Sequence, residues 1–235
     1  MKVYALSDLH LSLLVEKPMD VFGGEWENYV DKIRDNWQAV VKEEDVVLIA
    51  GDLSWAMKLD ETKKDFEFLQ GLNGTKIIIK GNHEYWWKSV SAVRNILPEK
   101  VIALQNDSYK IGEYVFTGTR GWAIPEGDKD INFTDEDEKI YKREKLRLEL
   151  ALNSMERLRK EGDKVICLMH FPPFNSKREP SYFTELFEKF NVDAVVYGHL
   201  HKSAGRYDKE FVKNGIKYYL TSADLINMKP VLIEI

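Results

Sequence analysis

The sequence predicts an α/β fold of parallel strands joined by helical crossovers, in one domain over residues 1–235. Three observations carry that reading. Short apolar runs rich in β-branched residues recur and end in small polar turns: residues 3–7 run into Ser7-Asp8-Leu9-His10, residues 45–50 into Gly51-Asp52, and residues 77–79 into Gly81-Asn82-His83-Glu84. Such runs are buried strands, and open α/β sheets place ligands at the carboxyl ends of their strands. Thirty residues separate Asp52 from Asn82, the length of one strand-helix-strand crossover, which puts both at the same sheet edge. Finally, the five histidines, His10, His83, His170, His199 and His201, each follow a predicted strand.

Taken in order, residues 3–7 form the first strand. Residues 11–25 hold Pro18, Gly23 and Gly24 without a clear period, and form a loop over the rim of the site. Residues 27–42 form a helix, because Val30, Ile33, Trp37, Val40 and Val41 fall at helical spacing. The second strand spans 45–50, and the crossover helix over 61–72 carries Phe66 and Leu69 to a strand beginning near Lys76. A helix over 85–97 stops at Pro98. Residues 101–118 contain short strands, notably 114–117, before Arg120-Gly121-Trp122 opens a loop. A long charged helix spans 134–161: Thr134 and Asp137 have capping-box spacing, Gly162 closes the far end, and Leu148, Leu152 and Met155 form its apolar stripe. A strand over 164–169 ends at His170. A short helix over 181–190 leads to a strand over 193–197, which ends in Gly198-His199-Leu200-His201. The tail, 206–235, alternates in short pieces such as 216–220 and 231–235 and reads as antiparallel strands.

Composition narrows the function classes. Hydrophobic residues are 44% and charged residues 31%, a globular balance with enough apolar mass for a sizeable core. The net charge of −5 argues against long nucleic acid as a partner. Cys167 is the single cysteine, so no internal disulfide forms and a reducing compartment is expected. The chain opens Met1-Lys2 directly onto a strand pattern, with no signal peptide and no apolar stretch of membrane-spanning length; we expect a cytoplasmic protein without a membrane partner. The sequence sets no oligomeric state.

Asp8 and His10 are two apart, so on an extended segment their side chains point the same way. With Asp52, Asn82 and the other histidines they offer eight nitrogen or oxygen donors at one edge. That number exceeds what one tetrahedral zinc takes. It suits two divalent ions of the Mn, Fe or Zn kind sharing a bridging carboxylate. Magnesium prefers oxygen ligands, and Cys167 lies inside a strand, which disfavours a structural zinc site.

The ordered series S-D-L-H, G-D, G-N-H-E, a lone His after a strand, and G-H-L-H resembles the calcineurin-like metallophosphoesterase family, from Asp8 to His201. The resemblance implies a four-layer α/β/β/α sandwich with two mixed β-sheets. It also implies that Asp8, His10 and His201 bind one metal, that Asn82, His170 and His199 bind the second, and that Asp52 bridges. His83 is then the catalytic histidine, protonating the leaving oxygen as a bridging hydroxide attacks phosphorus. One departure is visible: the acidic residue that many members carry three positions after the bridging Asp is Trp55 here, with Ser54 or Glu84 as substitutes for orienting His83. Arg120 is a candidate for holding a phosphate oxygen, against the alternative of a surface salt bridge. The aromatics Trp55, Tyr85, Trp86, Trp87, Phe171 and Phe174 follow the motif residues. They favour a small phosphodiester or nucleotide-like substrate, with a phosphomonoesterase and a non-catalytic scaffold of the same fold as alternatives. The metallo-β-lactamase pattern H-x-H-x-D-H does not occur.

Overall fold

The computed structural model describes residues 1–127, 130, 132–202 and 205–235. In chain order its strands are β1 (Val3–Ala5), β2 (Val46–Ile49), β3 (Thr75–Ile79), β4 (Val101–Leu104), β5 (Ser108–Ile111), β6 (Tyr114–Thr119), β7 (Lys164–Met169), β8 (Ala194–Tyr197), β9 (Glu210–Lys213), β10 (Ile216–Leu220) and β11 (Val231–Leu232). Its helices are α1 (Tyr29–Val40), α2 (Lys63–Gln70), α3 (Val90–Arg94), α4 (Asp135–Leu158) and α5 (Tyr182–Lys189).

One sheet has the order β11-β1-β2-β3-β4 and the other β5-β6-β7-β8-β10-β9. β1 to β4 are mutually parallel, as are β6, β7, β8 and β10; the outermost partners β11, β5 and β9 are antiparallel. Both sheets are therefore mixed. Side chains alternate across a strand, and each sheet uses both faces. Val3, Ala5, Val46, Leu48, Ile77 and Ile79 pack against Phe116, Ile166, Leu168, Ala194 and Val196 between the sheets. The alternate residues, such as Val47, Ile78, Cys167 and Val195, belong to a second apolar cluster that takes in Ile33 and Trp37 of α1, Phe66 and Leu69 of α2, Leu148 and Leu152 of α4, and Phe183 of α5. The result is the α/β/β/α sandwich. Asp8, Asp52 and Asn82 leave the ends of parallel strands at its shared carboxyl edge.

The long helix starts as its sequence predicts, the Thr134 hydroxyl accepting the Asp137 N–H and the Asp137 carboxylate accepting the Thr134 N–H, but it ends at Leu158 with Arg159 extended, so Gly162 does not cap it. Two further sequence expectations need correction. The helix expected over 85–97 shrinks to α3, which Ser89 caps. Trp86 and Trp87 are both buried, with indole N–H groups on Ser54 O (3.4 Å) and Gln105 Oε1 (2.8 Å). Neighbouring helix positions do not face the same way, so a turn replaces the helix and lets both rings enter the core. The tail is not wholly antiparallel either, because β10 pairs parallel with β8 while antiparallel to β9.

Candidate metal centre

The loops after β1 and β2 are stitched together. Asp8 N–H donates to Gly51 O (3.0 Å), His10 N–H to Asp52 O (3.0 Å), and Leu11 N–H to Leu53 O (2.8 Å). The segment is not extended. Asp8, His10, Asp52 and His199 all have left-handed backbone, with φ of 55°, 46°, 51° and 71°. That conformation is uncommon for non-glycine residues, and its concentration at one edge is the backbone strain typical of functional sites. Two glycines allow the carboxylates to come in close. A Cβ on Gly81 would lie 2.2 Å from Asp52 Oδ1, and one on Gly198 would lie 2.2 Å from Asp8 Oδ2.

These loops bring all eight expected donors to one edge. His10 Nε2 is 3.3 Å from His201 Nε2. His170 Nε2 is 3.3 Å from His199 Nδ1, and Asn82 Oδ1 lies 2.6 Å and 2.9 Å from those two nitrogens. Ligands held about 2.1 Å from one ion sit about 3.0–3.4 Å from each other, so the two histidine pairs have the spacing of shared coordination, while Asn82 Oδ1 sits at hydrogen-bonding distance from its two histidines. One oxygen of Asp52, Oδ2, is 4.0 Å from His10 Nε2 and 3.4 Å from His170 Nε2, and so faces both histidine groups. Two groups of described residues bring ligand atoms within 4.8 Å of one another and could hold an ion: Asp8 with His10 and His201, and Asp8 with Asp52 and His170.

The electrostatics suit cations. Burial lowers the pKa of His10 and His199 to about 3, leaving each ring neutral, with one nitrogen free to bind a cation. Burial pushes Asp8 up to about 6, against the nearby His170 and His201. Burial also opposes charge on Asp52, but His170 and His10 outweigh it and hold its carboxyl below the usual range. His201 is raised despite burial, because it shares a hydrogen bond with Asp224.

His83 stands at the rim. Its Nε2 is 4.0 Å from Asp52 Oδ2, and its backbone N–H donates to Asp52 Oδ1 (2.9 Å). Neither sequence substitute for an orienting acid reaches it. Ser54 Oγ hydrogen-bonds to Asp65. Glu84 is buried and accepts the N–H groups of Gly81, Asp52, Leu53 and Ser54, tying the β2 and β3 loops together. Burial and then the Asp52 charge push Glu84 up to about 8. His83 Nδ1 is buried without a hydrogen-bond partner among the described residues. The ring is held by Trp55 instead, with centroids 4.4 Å apart.

Trp55 also stacks on His10 at 4.9 Å and helps to wall a cavity of about 320 Å³ with Met19, Phe22 and Trp26; His10, His83 and His201 line it as well. The 11–25 segment does run over the rim, as expected, but it also supplies these apolar walls. Sequence reading missed Trp26, Ser222 and Asp224. Ser222 Oγ donates to Asp8 Oδ2 (2.8 Å), and Asp224 Oδ1 lies 3.0 Å from His201 Nδ1. The signal for the last two was present: Thr221-Ser222-Ala223-Asp224 follows β10 just as the other motifs follow their strands. Of the other aromatics, Trp86, Trp87 and Phe174 are core residues. Arg120 does not bring its side chain to the donors. Its guanidinium lies 3.5 Å from buried Glu144 and 4.6 Å from the Trp122 ring centre, while its carbonyl accepts the His170 N–H (3.0 Å).

The chain belongs to the calcineurin-like phosphoesterase family, whose model matches residues 1–203. It is accordingly a phosphoric ester hydrolase of the metallophosphoesterase type. It is 25% identical over 213 residues to a probable cyclic nucleotide phosphodiesterase of Coxiella burnetii, covering 85% of this chain and 75% of that one. Two solved structures share the fold. A phosphopantetheinyl hydrolase of Mycobacterium tuberculosis superposes with a TM-score of 0.57 at 16% identity, over 99% of this chain and 96% of that one. A protein of unknown function from Aquifex aeolicus does so with a TM-score of 0.52 at 15% identity, over 98% and 95%. No helix among the described residues is long and apolar enough to cross a membrane.

Proposed function

We propose that the chain is one metallophosphoesterase domain that hydrolyses small, nucleotide-like phosphodiesters at a centre of two divalent ions of the Mn, Fe or Zn kind. Asp8, His10 and His201 hold one ion, Asn82, His170 and His199 hold the other, and Asp52 spans both. The tail belongs to the same domain, since Ser222 and Asp224 buttress Asp8 and His201. Bound ions supply Lewis acidity and lower the pKa of water to near neutrality.

The chain's own residues supply the rest. Asp224 on Nδ1 directs His201 Nε2 toward the cluster, as the outer partner of a metal histidine does. Ala50 O does the same for His170, 3.0 Å from its Nδ1. His83 turns Nε2 inward and is placed to give a proton to the departing oxygen. Its pKa lies below the ordinary value through burial, so only part of it carries that proton at neutral pH.

The observation that carries the substrate reading is the cavity walled by Trp26, Trp55 and Phe22 beside His10, His83 and His201. A flat ring entering it would stack on indole, worth about 1–3 kcal/mol per base. The similarity to a probable cyclic nucleotide phosphodiesterase of Coxiella burnetii points the same way. The test is steady-state hydrolysis with manganese across aryl phosphodiesters, cyclic nucleotides and phosphomonoesters, alongside elemental analysis. Diesters should show the higher kcat/KM, and chelation should abolish turnover. Monoesters exceeding every diester would overturn the substrate reading. Undiminished turnover after chelation would overturn the centre.

A further inference from the structure

Another cleft, of about 190 Å³, is lined by Lys80, Lys88, Arg120, Arg143 and Arg147. None of the proposed metal ligands lines it, nor does His83. Among the described residues, the acid paired with its guanidinium groups is Glu144, buried on α4, while the charge of Glu84 also reaches Lys80. One oxygen of Glu144, Oε1, lies 2.6 Å from Arg147, 3.5 Å from Arg120 and 4.0 Å from Arg143. Its other oxygen accepts the Thr119 hydroxyl (2.9 Å). One carboxylate thus faces three guanidinium groups, with two lysines beside them.

The cleft is built rather than incidental. Lys80 is half-buried, and its Nζ is fixed on Trp87 O at 2.7 Å. Arg120 has 17% of its side chain exposed, and its buried Nε has no hydrogen-bond partner among the described residues. Gln105 Oε1 accepts the Trp87 indole N–H (2.8 Å), which leaves its NH₂ as a further donor at the cleft. Burial, and then the charge of Arg120, lower the Lys80 pKa against the opposing carboxylates Glu84 and Glu144.

We propose that this cleft is an anion site for a diphosphate group, free or carried on a nucleotide, separate from the metal centre. Five cations against two carboxylates, Glu144 and Glu84, leave an excess that a singly charged anion does not balance. Planar guanidinium forks match phosphate oxygens in pairs. The position of Arg120 follows: its side chain serves this cleft, and its carbonyl holds the His170 loop.

The test is calorimetric titration of the as-purified protein with inorganic pyrophosphate and, separately, with adenosine diphosphate. Three variants accompany the wild type. Arg143→Gln/Arg147→Gln removes two cleft cations. Lys139→Gln/Lys142→Gln removes two charges from exposed positions on the same helix. Asp52→Asn disables the metal centre. Pyrophosphate affinity should fall about tenfold or more in the arginine variant, consistent with the strength of charged hydrogen bonds, and little in the lysine variant. Binding should survive Asp52→Asn, and the arginine variant should keep its metal content and aryl diester turnover. Equal binding of both ligands identifies the diphosphate as the recognised group; tighter adenosine diphosphate identifies the nucleotide. Binding abolished by Asp52→Asn but unmoved by the arginine variant would overturn the proposal, as would equal losses in the arginine and lysine variants, or no saturable binding.

Discussion

At the scale of single residues, His83 and Trp55 form the unit that distinguishes this site. With no acid on Nδ1, His83 is positioned by aromatic packing, and burial disfavours its charged form. General acid assistance is typically worth about 10²–10⁴-fold, and a poorly charged imidazole belongs at the low end. His83→Asn is therefore expected to reduce kcat about 10²-fold with two ions still bound; a variant stripped of metal would make His83 a ligand instead. Trp55→Asp places a carboxylate beside the ring. An opposite charge at that distance raises a pKa by about one unit or more, so the His83 limb of the kcat/KM–pH profile should move to higher pH. A limb that stays in place would mean that His83 is not the group being titrated.

At the scale of elements, the centre depends on how closely the β2 and β3 loops approach. Glu84 gathers four backbone N–H groups from both loops, and Gly81 gives Asp52 its space. In Gly81→Ala the new Cβ would meet Asp52 Oδ1 at 2.2 Å and Asp52 N at 2.5 Å. Backbone must shift, which usually costs about 1–3 kcal/mol in a packed interior. The expected outcome is a folded protein with a lower Tm and less than its full metal content, measured by circular dichroism and elemental analysis. A fully loaded Gly81→Ala protein would show that the loops have slack that the contact distances do not suggest.

At the scale of the whole molecule, the sandwich buries Asp8, Asp52, His10 and His170 at one edge, so metal and folding are coupled. Loading to 100 times Kd adds about 2.7 kcal/mol, which for a chain this long raises Tm by roughly 5–10 °C. The pH dependence has a defined sign. Asp8, raised to about 6 by burial, and His201, raised by its hydrogen bond to Asp224 despite burial, must each lose a proton to take a metal, so the metal-conferred Tm gain shrinks as pH falls through their raised pKa values. Without metal Asp8 acts in reverse: its folded pKa exceeds the ordinary 3.8, so its contribution is full below that value and lost as pH rises through about 6. Melting curves with manganese and with chelator across pH 5–8 test both statements. A Tm gain independent of pH would exclude Asp8 from the metal shell.

The strands and the donors that follow them are legible in the residues, while the four-layer arrangement was implied by the family resemblance. Runs such as Val46–Ile49 and Lys164–Met169 are strands because short β-branched and apolar stretches fit a sheet buried on both faces. The donors after them are legible because each lies within a few residues of its strand. Tertiary structure decided what lies far apart in the chain. His10 meets His201, and Ser222 meets Asp8, across 191 and 214 residues. Trp26 reaches the cavity from a segment without a period, Trp86 and Trp87 break a helix that local pattern favours, and Glu144 draws Arg120 away from the donors. Periodicity records only which face a residue takes within its own element. Contacts between elements are selected by burial and charge after the sheets have packed, and no local pattern encodes them.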